Sequence, residues 1–151
     1  DQHTHPYFAQ SGTASTTFSA PAPEDLLAAS NSYLEIRLTA TDSTGLTDVV
    51  SQNLMPKKVN ITLNSQPSGL TFDVNGSTIT HGQAFVSWEK YSLEVKAQEQ
   101  IANGQIWRFN RWLDTSDGAT RSIVTPATNT SYTAVFTSTP AFKTWLPLVR
   151  K

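Results

Sequence analysis

The chain has 151 residues, enough for one ordinary domain or for two small β units of about 60 to 80 residues each. Its 11 Lys+Arg against 12 Asp+Glu leave a formal net charge of −1, too weak a field to gather nucleic acid or an anionic membrane surface. The lack of Cys removes disulfides, thiolate metal sites and Cys nucleophiles, and no apolar run reaches the roughly 18 residues that a membrane-spanning helix needs.

Asp1 is followed at once by His3, Thr4 and His5, without a basic start or an apolar stretch, so an export signal is expected outside this chain. Helical patterning is confined to Pro23 through Ser30, where Glu24, Asp25, Leu26, Leu27, Ala28 and Ala29 support a turn or two. From Tyr33 to Thr41 the pattern changes to strict alternation. Leu34, Ile36, Leu38 and Ala40 share one face, and Tyr33, Glu35, Arg37 and Thr39 the other, which predicts a half-buried strand. Asp42-Ser43-Thr44-Gly45 supplies a turn, and Leu46 to Leu54 returns as the partner strand, ending before Pro56.

A second series starts after that proline. Val59, Ile61 and Leu63 alternate with Asn60, Thr62 and Asn64, then Gln66-Pro67-Ser68-Gly69 predicts a turn, and Leu70, Phe72 and Val74 form the next inward set. Asn75-Gly76 is the strongest hairpin signal, because a type I′ turn needs positive φ at both central positions. Further strands are predicted at Ser77–Thr80, Ala84–Trp88, Tyr91–Ala97, Gln105–Trp112, Thr120–Val124 and Ser131–Thr137. Short strands with frequent turns predict an all-β sandwich or barrel.

The run from Tyr33 to Thr47, with Thr41-Asp42-Ser43-Thr44-Gly45-Leu46-Thr47 at its corner, resembles the closing hairpin of a PKD-type or related immunoglobulin-like domain. That resemblance implies that residues 1–56 hold only the last strands of an incomplete immunoglobulin-like β-sandwich. Residues 57–138 resemble the divergent InlB-type bacterial repeat, a small antiparallel β module, through Val59, Ile61, Pro67, Gly69, Val74, Gly76, Leu93, Val95, Ala97, Phe109, Trp112, Tyr132, Thr133, Ala134 and Phe136. Where such repeats commonly carry W-x-D-G, this chain has the longer Trp112-Leu113-Asp114-Thr115-Ser116-Asp117-Gly118. The tandem, opened by His3 to Phe8 and Ala22 to Leu26, is similar to the region after the propeller in some secreted PQQ-dependent glucose/sorbosone dehydrogenases. This implies membership of a host protein, with any catalysis in a domain outside the chain.

Candidate sites are few. His3 and His5 would share one face of a strand and could ligate a metal with His81 or an acidic neighbour, though a His-x-His pair is more often polar surface. Asp114 and Asp117 could offer loop oxygens to Ca²⁺ but fall short of its usual six to eight ligands. Among Trp88, Trp107, Trp112 and Trp145, the flanking Ser87, Glu89 and Lys90 leave Trp88 the freest; with Tyr91 it is the candidate sugar-stacking platform, against the ordinary role of such rings in strand packing. No G-x-S-x-G elbow or phosphate loop is present. The sequons at Asn60, Asn75 and Asn129 are close to coincidence in a chain this rich in Ser and Thr.

Residues 139–151 form an apolar tail with a basic end, in which Phe142, Trp145, Leu146 and Leu148 are candidates for strand addition to an open sheet edge. A loose terminus is the ordinary alternative. The sequence therefore predicts a non-catalytic accessory module of an exported, extracellular or surface protein, with no cofactor. Its expected partners are host-protein domains or a second copy of the chain. A carbohydrate-binding module is the rival reading, with glycans as its ligand, and an accessory region of a PQQ-dependent sugar dehydrogenase is the third.

Overall fold

The structure, a computed structural model, describes residues 4–141. It is all-β apart from one helical turn, α1 at Ala28–Asn31. That turn is shorter than its sequence suggests. The Asp25 carboxylate accepts from the Ala28 N–H at 2.6 Å, and only one run of hydrogen bonds follows before Ser32 returns to extended backbone.

Strands β1 (Leu34–Thr41) and β2 (Thr47–Leu54) form an isolated two-stranded antiparallel sheet. Its register sets Leu34 opposite Leu54, Ile36 opposite Gln52, Leu38 opposite Val50 and Ala40 opposite Asp48. Directly paired residues project from the same side, so the predicted apolar stripe becomes one face of a ribbon. The turn is organised by Asp42, whose carboxylate accepts from the Thr44 N–H at 2.8 Å, the Thr44 hydroxyl at 2.7 Å and the Leu46 N–H at 3.0 Å. Gly45 takes the left-handed position at φ +91° that closes it.

The remaining strands build a complete two-sheet sandwich. They are β3 (Lys58–Gln66), β4 (Thr71–Val74), β5 (Ser77–Thr80), β6 (Ala84–Trp88), β7 (Ser92–Lys96), β8 (Gln100–Ala102), β9 (Gln105–Trp112), β10 (Thr120–Val124) and β11 (Thr130–Pro140). One sheet runs β6-β3-β11-β9-β8 and the other β10-β7-β4-β5. The inward residues interdigitate in a single core: Val59, Ile61 and Leu63 from β3, Phe72 and Val74 from β4, Leu93 and Val95 from β7, Ile123 from β10, and Trp112, Ala134 and Phe136 from β9 and β11. Phe72 stacks on Trp112 with centroids 6.1 Å apart, and Phe109 meets Phe136 edge-on at 6.3 Å.

Three features were not legible from alternation. The first and last strands, β3 and β11, pair in parallel at the middle of the five-stranded sheet, so the module is not purely antiparallel. A parallel pair needs a long crossover, and here the whole intervening chain supplies it. Strand β8, absent from the sequence reading, hairpins onto β9 through Asn103-Gly104, both at positive φ. Finally, the pairing of β9 with β11 slips between Val135 and Phe136, leaving Asn110 as an extra residue. That bulge lets Phe109 and Trp112, three positions apart, both face inward.

Candidate functional site

Trp88 lies on the outward face of β6 opposite Lys58, and the segment before the hairpin covers it. Its Nε1 donates to the Ala29 carbonyl at 2.8 Å, while Lys58 Nζ donates to the Ser30 carbonyl at 2.8 Å. Ala29 is fully buried and Pro23 is buried beside it in sequence. The expectation of a free Trp88 ring is thereby corrected: its polar edge is used to fasten the N-terminal segment onto the edge strand. Tyr91 is engaged elsewhere. It packs against the core, and its hydroxyl accepts from Asn75 Nδ2 at 3.1 Å in the β4–β5 turn. The same Asn75 accepts from the Glu94 N–H at 2.8 Å, so this turn is locked to β7 by side chain as well as backbone.

Of the histidines considered as ligands, His3 lies outside the described residues. His5 Nε2 stands 3.9 Å from Glu24 Oε2, with both side chains largely exposed. His81 Nδ1 accepts from the Ser65 N–H at 2.9 Å, tying the end of β3 to the link between β5 and β6. Among the described residues, no three His, Asp or Glu side chains converge in a metal-binding group. Phe142, Trp145, Leu146 and Leu148 also lie outside the described residues.

Asp114 and Asp117, considered as calcium ligands, turn instead to Arg121. The guanidinium donates to both Asp114 oxygens at 2.9 Å and stands 3.7 Å from Asp117. Its carbon sits 4.8 Å from the centroid of the Trp112 ring and 5.1 Å from that of Tyr132, and its side chain is only 8 % exposed. Hydrogen bonding from Arg121 holds the Asp114 carboxyl below the ordinary aspartate value of 3.8. Burial raises the Tyr132 hydroxyl above its ordinary 10.0. A cation between two aromatic faces with a forked carboxylate is a structural clamp, in which the buried Arg121 Nε makes no hydrogen bond and has only Asp117 at 3.7 Å. It leaves those oxygens occupied.

Other polar groups of the sandwich are matched in the same way. The buried hydroxyls of Ser87 and Thr125 lie 2.7 Å apart. The Gln100 amide bridges the two sheets, accepting from the Thr71 N–H at 2.9 Å and donating to the Thr71 carbonyl at 3.1 Å. These pairs tie the two sheets of the sandwich together.

The hairpin differs in kind. Ile36 is 41 % exposed, Leu38 67 %, Val50 61 % and Leu54 50 %, and every residue of both strands other than Leu34 is classed as exposed. This makes a mainly apolar face of Leu34, Ile36, Leu38, Ala40, Val50 and Leu54, interrupted by Gln52 and Asp48, with Glu35, Arg37, Thr39, Val49, Ser51 and Asn53 behind it. A shallow concavity at the turn end, between Ala40, Thr41, Asp42, Leu46, Thr47 and Asp48, borders the same ribbon. The alternation of Tyr33 to Thr41 marked this face in the sequence; that none of the described residues covers it required coordinates. Comparison of the chain with models of protein families, with curated proteins and with solved structures found no match.

Proposed function

We propose that this chain is a non-catalytic accessory β module of a larger exported protein, in which the complete sandwich carries an amphipathic hairpin as a packing surface for another domain. The single observation behind this reading is the apolar face of β1 and β2, which no described residue covers. A two-stranded ribbon is marginal in water by itself, and a contiguous exposed apolar patch on an otherwise well-closed fold marks an interaction surface. The closed polar pairs of the sandwich support a structural role for that part, and the resemblance to PKD-type closing strands supports a host domain as the packing partner. The hydrogen bond from Trp88 to Ala29 favours a packing role for that ring over the carbohydrate-binding reading.

Hydrogen exchange on the gene's full-length product, compared with residues 1–151 alone, tests the reading. The Leu38 and Val50 amides are expected to exchange slowly in the full-length protein, and Leu38→Asp there to return them to fast exchange while the sandwich amides stay protected. Equally fast exchange of the hairpin in both proteins would overturn the proposal.

A further inference from the structure

The hairpin offers two outer edges, and they are not equivalent. Counting from the Asp42 N–H, which donates to the Leu46 carbonyl at 2.9 Å, the antiparallel alternation makes Ala40/Asp48, Leu38/Val50, Ile36/Gln52 and Leu34/Leu54 the hydrogen-bonded pairs. The backbone groups of Glu35, Arg37, Thr39 and Thr41 on β1, and of Val49, Ser51 and Asn53 on β2, therefore point away from the ribbon. On β2 the outward Val49 N–H is already taken by its neighbour's carboxylate, Asp48 Oδ1, at 2.9 Å. No such block occurs on β1, which has no Pro or bulge to deter another strand.

Strand β1 also carries both signs of charge two positions apart. Glu35 and Arg37 pair with each other at 3.2 Å on the surface. If β1 meets β1 of a second copy antiparallel about Ile36, Glu35 faces Arg37 of the other copy, and Arg37 faces its Glu35. Both are residues whose backbone groups point outward, so this register forms paired N–H···O=C bonds at the same two positions where it matches charge. On the opposite face Ile36 meets Ile36 across the two-fold axis, with Leu34 beside Leu38. Shifting the centre to Arg37 or Glu35 sets like charges directly opposite, which destabilises a pair, and centring on Leu38 leaves both charges facing threonines.

We infer that β1 is a self-association edge, joining a second copy of this chain through antiparallel pairing about Ile36 to form a four-stranded sheet β2-β1-β1-β2 with reciprocal Glu35–Arg37 pairs. The inference rests on the hairpin as an interaction element and adds a second copy at its β1 edge, leaving the apolar face to the host domain. A sheet of four strands also meets the condition for stability that the lone ribbon does not, since three or more strands sharing an apolar face are the usual minimum.

Sedimentation equilibrium on the full 151-residue chain, with Glu35→Arg and Arg37→Glu as variants, tests this. The chain is expected to dimerise reversibly, more weakly as salt rises. Each variant alone, with two like charges on its strand, is expected to self-associate about tenfold more weakly. An equimolar mixture of the two is expected to recover the association, because an all-basic strand then meets an all-acidic one. Association through the C-terminal tail would not respond to these exchanges. A chain that stays monomeric at hundreds of micromolar, or variants that dimerise like the parent, would overturn the inference. Slow hairpin exchange in a monomeric full-length product would then show that the packing surface stands and only the self-association edge fails.

Discussion

The sandwich and the hairpin are written with the same two-residue alternation and reach opposite states. In the sandwich, Leu63, Val74 and Val95 are fully removed from water because a second sheet stands over them. In the hairpin, Leu38 and Val50 occupy an equivalent position in their own pattern and remain mostly exposed, since no second layer of the described residues faces them. An apolar stripe tells the chain which face wants to be covered. Only another layer can cover it. Leu63, Val74 and Val95 hold the fold together, whereas Leu38 and Val50 stay open to solvent.

The largest expected difference lies in truncating one large side chain from each region. Trp112→Ala removes the ring that contacts Phe72, Phe109 and Arg121 and should cost about 3 to 5 kcal/mol, a change visible as a large fall in Tm. Leu38→Ala in the hairpin should leave the Tm of the sandwich within about 0.5 kcal/mol of the parent. Equal losses at the two positions would show that the hairpin face is covered within the chain.

The clamp on Arg121 sharpens the comparison at an intermediate size. Arg121→Leu leaves Asp114 and Asp117 unpaired beside the Trp112 ring and should cost about 2 to 3 kcal/mol by chemical denaturation. Acid should reproduce part of this. Because the Asp114 pKa is lowered in the fold, its contribution is complete above its unfolded value and disappears as pH falls through the lower folded value. The parent's stability should therefore fall more steeply below about pH 4 than that of Asp114→Asn. In the hairpin, hydrogen bonds from Thr44 and then Leu46 likewise lower the pKa of Asp42. Acid should thus loosen that turn in the same direction.

The smallest effect concerns the join between the two regions. Trp88→Phe keeps an aromatic ring, though a smaller one without the indole N–H, and so deletes the hydrogen bond to the Ala29 carbonyl, which should cost about 1 kcal/mol. Limited proteolysis should then cut sooner between Pro23 and Ser32. Unchanged cleavage would mean that burial of Pro23 and Ala29 alone fixes the segment.

Much of the architecture follows from local chemistry that the residues display in order. Val59, Ile61 and Leu63, or Leu93, Val95 and Ala97, can form little other than one-sided strands, and Asn75-Gly76 fixes a tight hairpin through its tolerance of positive φ. The second such pair, Asn103-Gly104, carried the same signal and marks β8, whose three residues are too few to show alternation. The candidate site was half visible in the same sense. Glu35 and Arg37 flanking Ile36 can be read from the chain, and their relation to an open edge cannot.

Sequence by itself determined the strand periodicity, the turn chemistry and the all-β class, because these depend on interactions among residues a few positions apart. Tertiary structure alone decided that β3 and β11 run parallel, that a bulge at Asn110 turns both Phe109 and Trp112 inward, and that Arg121 claims the carboxylates of Asp114 and Asp117. It also decided that one apolar face is sealed and the other left open. Burial is a property of what lies opposite a surface, and the residues that lie opposite are distant in the chain or belong to another molecule.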